Sequence, residues 1–214
     1  MIHLRNASFV YREGKTVFQN LNLSLEAGQI LQVIGPNGIG KSSLLKVIVG
    51  HMPLSEGVVE KNILPSEIFY LPQLANLSFH IHLKLEDVLK ILLLEKYNYE
   101  HVIRLGFLDA ASLKLNWNSA SGGERQRTLL TVAFLSKSKV LLLDEPSNHL
   151  DAERSKKLLQ EISRYVEKGE RSVIIVSHKA VTEFPGQENS GLIGPLEVSS
   201  GISKIRVLNM KDYL

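Results

Sequence analysis

The chain has 214 residues, of which 44% are hydrophobic and 22% charged, a balance typical of one globular domain with a substantial core. It contains no cysteine, which excludes disulfides, thiolate catalysis and cysteine-ligated zinc. The net charge of +3 permits contact with phosphates but does not require a nucleic acid partner. The start of the chain lacks a charged segment followed by an apolar one, so we expect no signal peptide. The longest aliphatic run, residues 91–94, is far shorter than the roughly 20 residues of a membrane helix.

The first part of the chain alternates between strand-like and helix-like patterns. Alternating apolar residues, interrupted by glycine-containing turns, predict short strands. The predicted strands are residues 2–11, 17–25, 30–34, 58–59 and 68–71. Apolar spacings of three and four predict a helix over residues 41–51, directly after a glycine-rich loop.

The second part combines predicted helices with wholly apolar strands. Helices are predicted over residues 84–96, 99–115, 122–137 and 151–168. The apolar stripe of the first of these is predicted to comprise Leu85, Val88, Leu89 and Leu92. Apolar runs at residues 140–143 and 172–177 are typical of buried parallel strands, and a late strand-like run covers residues 205–208.

The order of these elements favours an α/β fold, because apolar strands that alternate with helices are typical of a parallel sheet covered on both faces. The mostly helical residues 74–138 interrupt that alternation and predict an inserted lobe. We therefore expect a single domain whose core comprises residues 1–73 and 139–184, followed by a tail of residues 185–214.

Residues 35–42, with the sequence GPNGIGKS, fit the phosphate-loop pattern G-x-x-x-x-G-K-[ST]. They follow an apolar strand and precede a helix, so backbone N–H groups and the helix N-terminus can surround a phosphate. Lys41 would reach the β- and γ-phosphate oxygens and Ser42 would coordinate Mg²⁺. The alternative is a tight glycine turn without a ligand. The nucleotide-binding residues predicted here are Gly35, Asn37, Gly38, Gly40, Lys41, Ser42 and Ser43.

Two acidic residues follow the apolar run at residues 140–143. A carboxylate at the end of a buried strand beside a phosphate loop is expected to hold Mg²⁺, which predicts that role for Asp144. Glu145, one residue further on, is placed to activate the attacking water as a general base. Without the phosphate loop, the same pair would indicate only a solvated strand end.

Residues 121–127, SGGERQR, resemble the signature of the ATP-binding cassette (ABC) family, whose motifs match the chain to about residue 180. The segment is a second glycine-rich helix N-terminus and hence a second anion site. The resemblance implies a P-loop NTPase core with an N-terminal antiparallel β subdomain and an inserted α-helical lobe. It also implies a head-to-tail dimer in which this segment caps the γ-phosphate held by the other subunit. The nucleotide contacts that it predicts are Ser121, Gly122, Gly123 and Glu124.

Other motifs of the ABC family occur in the expected order. Tyr11 lies where the family has an aromatic residue that stacks on adenine, and Gln73 resembles the glutamine that contacts Mg²⁺ and the attacking water. His178 resembles the histidine that senses the γ-phosphate, and residues 147–151 resemble the loop that crosses the dimer interface. The resemblance therefore implies hydrolysis of Mg-ATP. The residues that it places in catalytic roles are Glu145, His178, Gln73 and Lys41, with Ser42, Gln73 and Asp144 around the metal.

The chain departs from the family pattern at three positions. Ala120 stands where the family usually has leucine, and Glu124 stands in place of glutamine. Lys179 follows the histidine, where an acidic residue is usual, and the tail after Phe184 matches the family poorly.

The resemblance favours the ATP-hydrolysing subunit of a membrane transporter, located in the cytoplasm on the inner face of the cell membrane. Its expected partners are a second cassette subunit and integral membrane subunits. Residues 76–88 are most similar to importers of metal ions or metal chelates. Within that segment, Leu77, Phe79 and Ile81 are candidates either for a groove that receives the membrane partner or for the core of the lobe.

Three alternatives remain open. The chain could serve a small exporter, similar to the haem exporters, instead of an importer. It could be an ABC-type ATPase that acts on ribosomes or nucleic acid, but those relatives carry two cassettes with a charged linker or a long coiled-coil insertion, so no direct nucleic acid partner is expected. It could also bind ATP without hydrolysing it, although the full set of expected catalytic residues argues against this.

Overall fold

The computed structural model describes residues 1–11, 13–73, 82–178, 198–200 and 203–210. The strands are β1 (Ile2–Val10), β2 (Thr16–Leu25), β3 (Gln29–Ile34), β4 (Glu56–Lys61), β5 (Ile68–Leu71), β6 (Val140–Asp144), β7 (Ser172–Ser177), β8 (Val198–Ser200) and β9 (Ser203–Asn209). The helices are α1 (Lys41–Val49), α2 (Leu85–Leu93), α3 (Tyr99–Leu105), α4 (Gly122–Leu135) and α5 (Ala152–Val166). Short 3₁₀ turns cover Pro65–Glu67, Leu94–Lys96 and Ser112–Lys114.

A three-stranded antiparallel sheet, in the order β2-β1-β4, contains the first strands of the chain. Ile2 pairs with Leu25 of β2 and with Lys61 of β4. Buried apolar residues alternate at the start of β1 and at the end of β2, as expected for a sheet packed on one face, and register shifts interrupt this alternation between Leu4 and Val10. The predicted antiparallel β subdomain is therefore confirmed.

A six-stranded sheet, in the order β5-β6-β7-β3-β9-β8, forms the centre of the molecule. Its pairs are parallel except for the antiparallel edge pair β8–β9. Every residue of β6 is buried, which explains why its sequence shows an unbroken apolar run. The strand-like residues 205–208 belong to β9, which pairs with β3.

The two faces of this sheet belong to two apolar clusters. Leu141, Leu143 and Val173 point to the cluster that contains the helical residues from α2 to α5. Their neighbours Leu142 and Ile174 point to the cluster that contains α1 and the antiparallel sheet. The helical stretch thus shares its core with one face of the central sheet. The division into a core, an inserted lobe of residues 74–138 and a tail of residues 185–214 stays a prediction.

The parallel register brings four strand ends to one edge of the central sheet. Leu71 pairs with Leu143, Asp144 pairs with Val176, and Ile34 pairs with Ser177. The chain segments that follow these strands contain the phosphate loop and three of the predicted catalytic residues. Because the carboxyl ends of neighbouring parallel strands lie side by side, these segments meet above one crevice.

The helix predicted over residues 99–115 is wrong in its length. It ends at Leu105, because Gly106 takes a left-handed conformation with φ 73° and closes the last turn. A separate 3₁₀ turn then begins where Asp109 Oδ1 accepts a hydrogen bond of 2.7 Å from the backbone of Ser112. The other predicted helices extend one to three residues beyond their observed ends.

The predicted apolar stripe of α2 is correct except at its end. Leu85, Val88 and Leu89 are buried, but Leu92 is half exposed and Leu93 is buried in its place. The helix ends at Leu93, and regular periodicity does not continue through this last turn. The candidates Leu77, Phe79 and Ile81 lie outside the described residues. Across the part of the chain that the structure describes, helices are too short or too polar to span a bilayer.

Candidate functional site

The phosphate loop connects β3 to α1, and its last glycine allows a close contact with the antiparallel sheet. Gly40 has φ 109° and caps the N-terminus of α1. A Cβ atom at this position would lie 2.0 Å from Cγ1 of Val17, so only glycine fits without movement of the strand. The first turn of α1 carries no acidic residue, which leaves the N-terminal N–H groups available to an anion.

Lys41 is buried inside the loop. Its Nζ atom donates hydrogen bonds to the carbonyl oxygens of Gly35 (2.8 Å) and Pro36 (3.0 Å). Burial lowers the pKa of this lysine, and the nearby carboxylates of Glu145 and Asp144 oppose that shift. A buried ammonium group that is held mainly by carbonyl oxygens is well placed to bind a polyanion.

Glu145 lies at the centre of a polar network. Its Oε2 atom accepts hydrogen bonds from the side-chain amides of Gln73 (3.1 Å) and Asn148 (2.7 Å). Its Oε1 atom lies 3.1 Å from Nε2 of His178 and 3.8 Å from Nζ of Lys41. The residue is buried and has φ 49°, an uncommon conformation for glutamate. The structure therefore brings together all four residues predicted to be catalytic.

Asp144 has the features of a cation ligand. It is 1% exposed, and its Oδ1 atom is buried without a hydrogen-bond partner among the described residues. Burial raises the pKa of this carboxyl group, whereas the Ser42 hydroxyl and the backbone of Gln73 lower it. Buried carboxylate and hydroxyl oxygens beside a phosphate loop suit Mg²⁺, which takes one or two carboxylates and completes its shell with phosphate oxygens and water. The residues present therefore fit this ion.

A cleft of about 610 Å³ opens over the loop, a size suited to a nucleotide. Its lining comprises Tyr11, Lys15, Thr16, Val17, Pro36, Asn37, Gly38, Ile39, Gly40, Lys41, Ser42, Ser43, Gln73 and Glu145. Gly35 is not part of this lining and lies behind Ile39. The cleft thus joins the predicted stacking residue, the predicted phosphate-binding residues and the predicted general base.

The signature segment lies at the N-terminus of α4 and is not among the residues that line the cleft. Ser121 Oγ accepts a hydrogen bond of 3.2 Å from the backbone of Glu124, and Glu124 Oε2 accepts bonds of 2.7 Å from the Ser121 backbone and 2.8 Å from its hydroxyl. These bonds lower the pKa of the Glu124 carboxyl group. Gly122 and Gly123 lie against His149. Within the described residues, this segment and the phosphate loop do not share one cleft.

Sequence reasoning missed the role of Asn148. It assigned residues 147–151 to the dimer interface alone, whereas Asn148 also contacts Glu145. A turn brings the two together, since the backbone N–H of Asn148 donates to the carbonyl oxygen of Glu145 (3.1 Å). The spacing of three residues between Glu145 and Asn148, directly after a strand, was the signal that could have indicated this turn.

By class, the chain is a P-loop nucleotide hydrolase, because a lysine-bearing phosphate loop adjoins two carboxylates at a neighbouring strand end. A family model described as "ABC transporter" matches residues 18–148, about three fifths of the chain. The chain belongs to the ABC transporter family, as its ATP-binding and ATP-hydrolysing cassette. The family and fold predicted from the sequence are confirmed.

Individual relatives agree with this assignment. The chain is 35% identical over 187 residues to the zinc import ATP-binding protein ZnuC of Pasteurella multocida, which covers 83% of this chain and 67% of that protein. A structure from Pyrococcus furiosus, described as an ABC transporter ATP-binding protein, has a TM-score of 0.76 at 24% identity and covers 99% of this chain and 98% of its own, which shows the shared fold. An inward-facing transporter described as metal-chelate type has a TM-score of 0.68 at 26% identity, over 83% of this chain and 73% of its own.

We expect Gly40→Ala to abolish tight ATP binding. The added Cβ would collide with Val17, and the left-handed backbone would cost about 1–2 kcal/mol more. A loss of more than about tenfold in ATP affinity should appear in equilibrium binding measurements. The matched control is Gly169→Ala, which has φ 73° and no atom within 4 Å of the new Cβ, so it carries the backbone strain without the collision. Equal affinity in both variants would contradict the assignment of the loop.

We expect Asn148→Ala to lower kcat for ATP hydrolysis by about tenfold, in line with the loss of one hydrogen bond to a charged group. KM should change little, because Asn148 contacts Glu145, the predicted general base, and does not line the cleft. The control is Asn98→Ala, which removes the cap of α3 far from the site and should leave hydrolysis unchanged. An unaltered kcat in Asn148→Ala would show that the contact has no part in the reaction.

Proposed function

We propose that this chain drives transport of a divalent transition metal ion, or of a metal chelate, across a membrane. In this proposal two cassettes bind Mg-ATP between them and work on integral membrane partner subunits, which hold the chain at the inner face of the membrane. The observation that carries the hydrolytic part is the network around Glu145. The zinc import and metal-chelate names of the relatives support the cargo class.

The network suggests how the chain passes from a resting to a reactive state. Nζ of Lys41 lies 3.8 Å and Nε2 of His178 lies 3.1 Å from Oε1 of Glu145, the atom that would accept the proton. A triphosphate in the cleft offers Lys41 a stronger partner than the loop carbonyls. Movement of Lys41 towards the phosphates would leave Oε1 of Glu145 open to the attacking water when substrate is bound.

The proposed reaction gives each of these side chains a role. Water attacks the γ-phosphorus, the bond to the β-phosphate oxygen breaks, and Glu145 takes the proton of the water. Gln73 orients Glu145, and His178 is placed to donate to a γ-phosphate oxygen. Ser42, Gln73 and Asp144 would hold Mg²⁺, which supplies charge neutralisation for the phosphates.

The position of the signature segment supports a dimer. Ser121, Gly122 and Gly123 begin α4 and present a helix N-terminus that the chain's own cleft does not use. A helix N-terminus favours negative charge. In a head-to-tail pair of cassettes, the signature segment of each subunit would close over the γ-phosphate held by its partner. Tyr11 of each subunit would stack on the base of the nucleotide held by that same subunit.

We expect Glu145→Gln to lower steady-state ATP hydrolysis by about 100-fold or more, because an amide cannot take the proton. ATP binding should persist, and the variant should accumulate as an ATP-dependent dimer in light-scattering measurements. The control is Glu161→Gln, another buried glutamate, which forms ion pairs with Lys157 and Arg164 on α5. Wild-type turnover in Glu145→Gln would rule out the general-base role.

The transport proposal is tested with the same variant. Tagged Glu145→Gln should be extracted from native membranes in mild detergent with Mg-ATP and should bring down a stoichiometric polytopic membrane protein, identified by mass spectrometry. The reconstituted wild-type complex should then take up zinc or another first-row metal in an ATP-dependent manner, and the complex with Glu145→Gln should not. Recovery only with ribosomal proteins or nucleic acid would contradict the proposal.

A further inference from the structure

Tyr11 forms a hydrogen bond that joins the end of β1, in the antiparallel sheet, to helix α1 at the nucleotide cleft. Its phenolic oxygen lies 2.6 Å from Oγ of Ser43. Tyr11 follows β1 of the antiparallel sheet, whereas Ser43 belongs to the first turn of α1, directly after the phosphate loop. Stacking on a base requires only the ring of Tyr11, so this contact needs a separate explanation.

The tyrosine is held in place by its own surroundings. Its backbone N–H donates to the carbonyl oxygen of Lys15 (2.9 Å), and its carbonyl oxygen accepts from Gly14 (2.8 Å). Its ring packs against that of Phe9 at a steep angle, with centroids 5.1 Å apart and planes at 72°. These backbone and ring contacts help to keep the hydroxyl group of Tyr11 beside α1.

The chemistry of the cleft decides the direction of this hydrogen bond. At neutral pH, phosphate oxygens act as hydrogen-bond acceptors and not as donors. Ser43 must therefore donate its single hydroxyl proton to a phosphate that lies at the start of α1. Ser43 can then only accept from Tyr11. Since Ser43 is 5% exposed, water has little access to replace this donor.

We propose that Tyr11 is a positioning residue that acts through Ser43: its hydroxyl donates to Ser43 and thereby fixes the serine as a donor to the bound phosphates. This inference rests on the proposed nucleotide site. It gives one residue two separable functions, with the ring placed for the base and the hydroxyl for the phosphates. Phenylalanine or tryptophan could replace the first function but not the second.

The test is a double-mutant cycle on Mg-ATP binding with Tyr11→Phe, Ser43→Ala and the combined variant. Tyr11→Phe keeps the ring and should weaken binding by about three- to tenfold, the range of one hydrogen bond. In the Ser43→Ala background the same change should have no further effect, because the partner is gone. Tyr11→Trp, which also keeps a stacking ring, should behave as Tyr11→Phe does. The loss should appear in KM more than in kcat.

A ligand without a base separates the two functions of Tyr11. Inorganic triphosphate cannot stack, so any effect of Tyr11→Phe on its competition with ATP must pass through the phosphate-binding residues. We expect Tyr11→Phe to weaken triphosphate binding by the same factor as ATP binding. Equal binding of triphosphate by wild type and Tyr11→Phe would overturn the inference.

Further variants test separately the coupling between Tyr11 and Ser43 and the binding of nucleotide in the cleft. Tyr97→Phe removes another phenol, which donates to Glu86 over 3.0 Å, and should leave ATP affinity unchanged. Undiminished ATP binding in Lys41→Ala would refute the nucleotide site itself. If Lys41→Ala loses binding while Tyr11→Phe and Ser43→Ala act additively, only the coupling is refuted. Thermal unfolding of each variant without nucleotide verifies that all are folded.

Discussion

The functional site depends on the parallel register of the central sheet. Backbone hydrogen bonds align β5, β6, β7 and β3 so that their carboxyl ends lie together. Side chains that are distant in the chain, such as Gln73 and His178, thereby reach the same carboxylate. A shift of one residue in any of these pairs would turn the strand's side chains to the other face and move its terminal loop by about 3.3 Å.

The buried charges at this edge are tolerated because each one is paired or hydrogen-bonded. Lys41 is satisfied by two loop carbonyls and Glu145 by two amides, with the lysine and His178 beside it. Asp144 is the exception, with one buried oxygen that lacks a partner among the described residues. An unpaired buried carboxylate oxygen is costly, and a cation would relieve this cost. Among the charged groups at this edge, the unpartnered oxygen therefore lies where an ion would bind.

The sequence predicted which residues form the site better than it predicted the contacts among them. The phosphate loop could be recognised because glycines, a lysine and a following helix occur within a few residues, and β6 because its apolar run is continuous. Local patterns could not show that Gln73, Asn148 and His178 all contact Glu145, since these contacts depend on the register of the central sheet and on the turn that follows β6. The helix beyond Leu105 was overpredicted because the apolar pattern continued past Gly106, where the backbone required a cap. For Leu77, Phe79 and Ile81 the sequence left open whether they form a groove or a core, and they lie outside the described residues.

The two glycine-rich helix ends differ in a way that implies an order of binding. The first turn of α1 carries no acidic residue, whereas the first turn of α4 carries Glu124, whose carboxylate already accepts from the backbone and hydroxyl of Ser121. An anion near α4 would meet this negative charge and would have to compete for the same donors. The phosphate loop, with a buried lysine and open N–H groups, has no such competitor in its first turn. We therefore expect a nucleotide to bind first at the N-terminus of α1. The N-terminus of α4 would then bind a phosphate that the first site already holds in place, because the entropic cost of fixing the ligand falls on that first site.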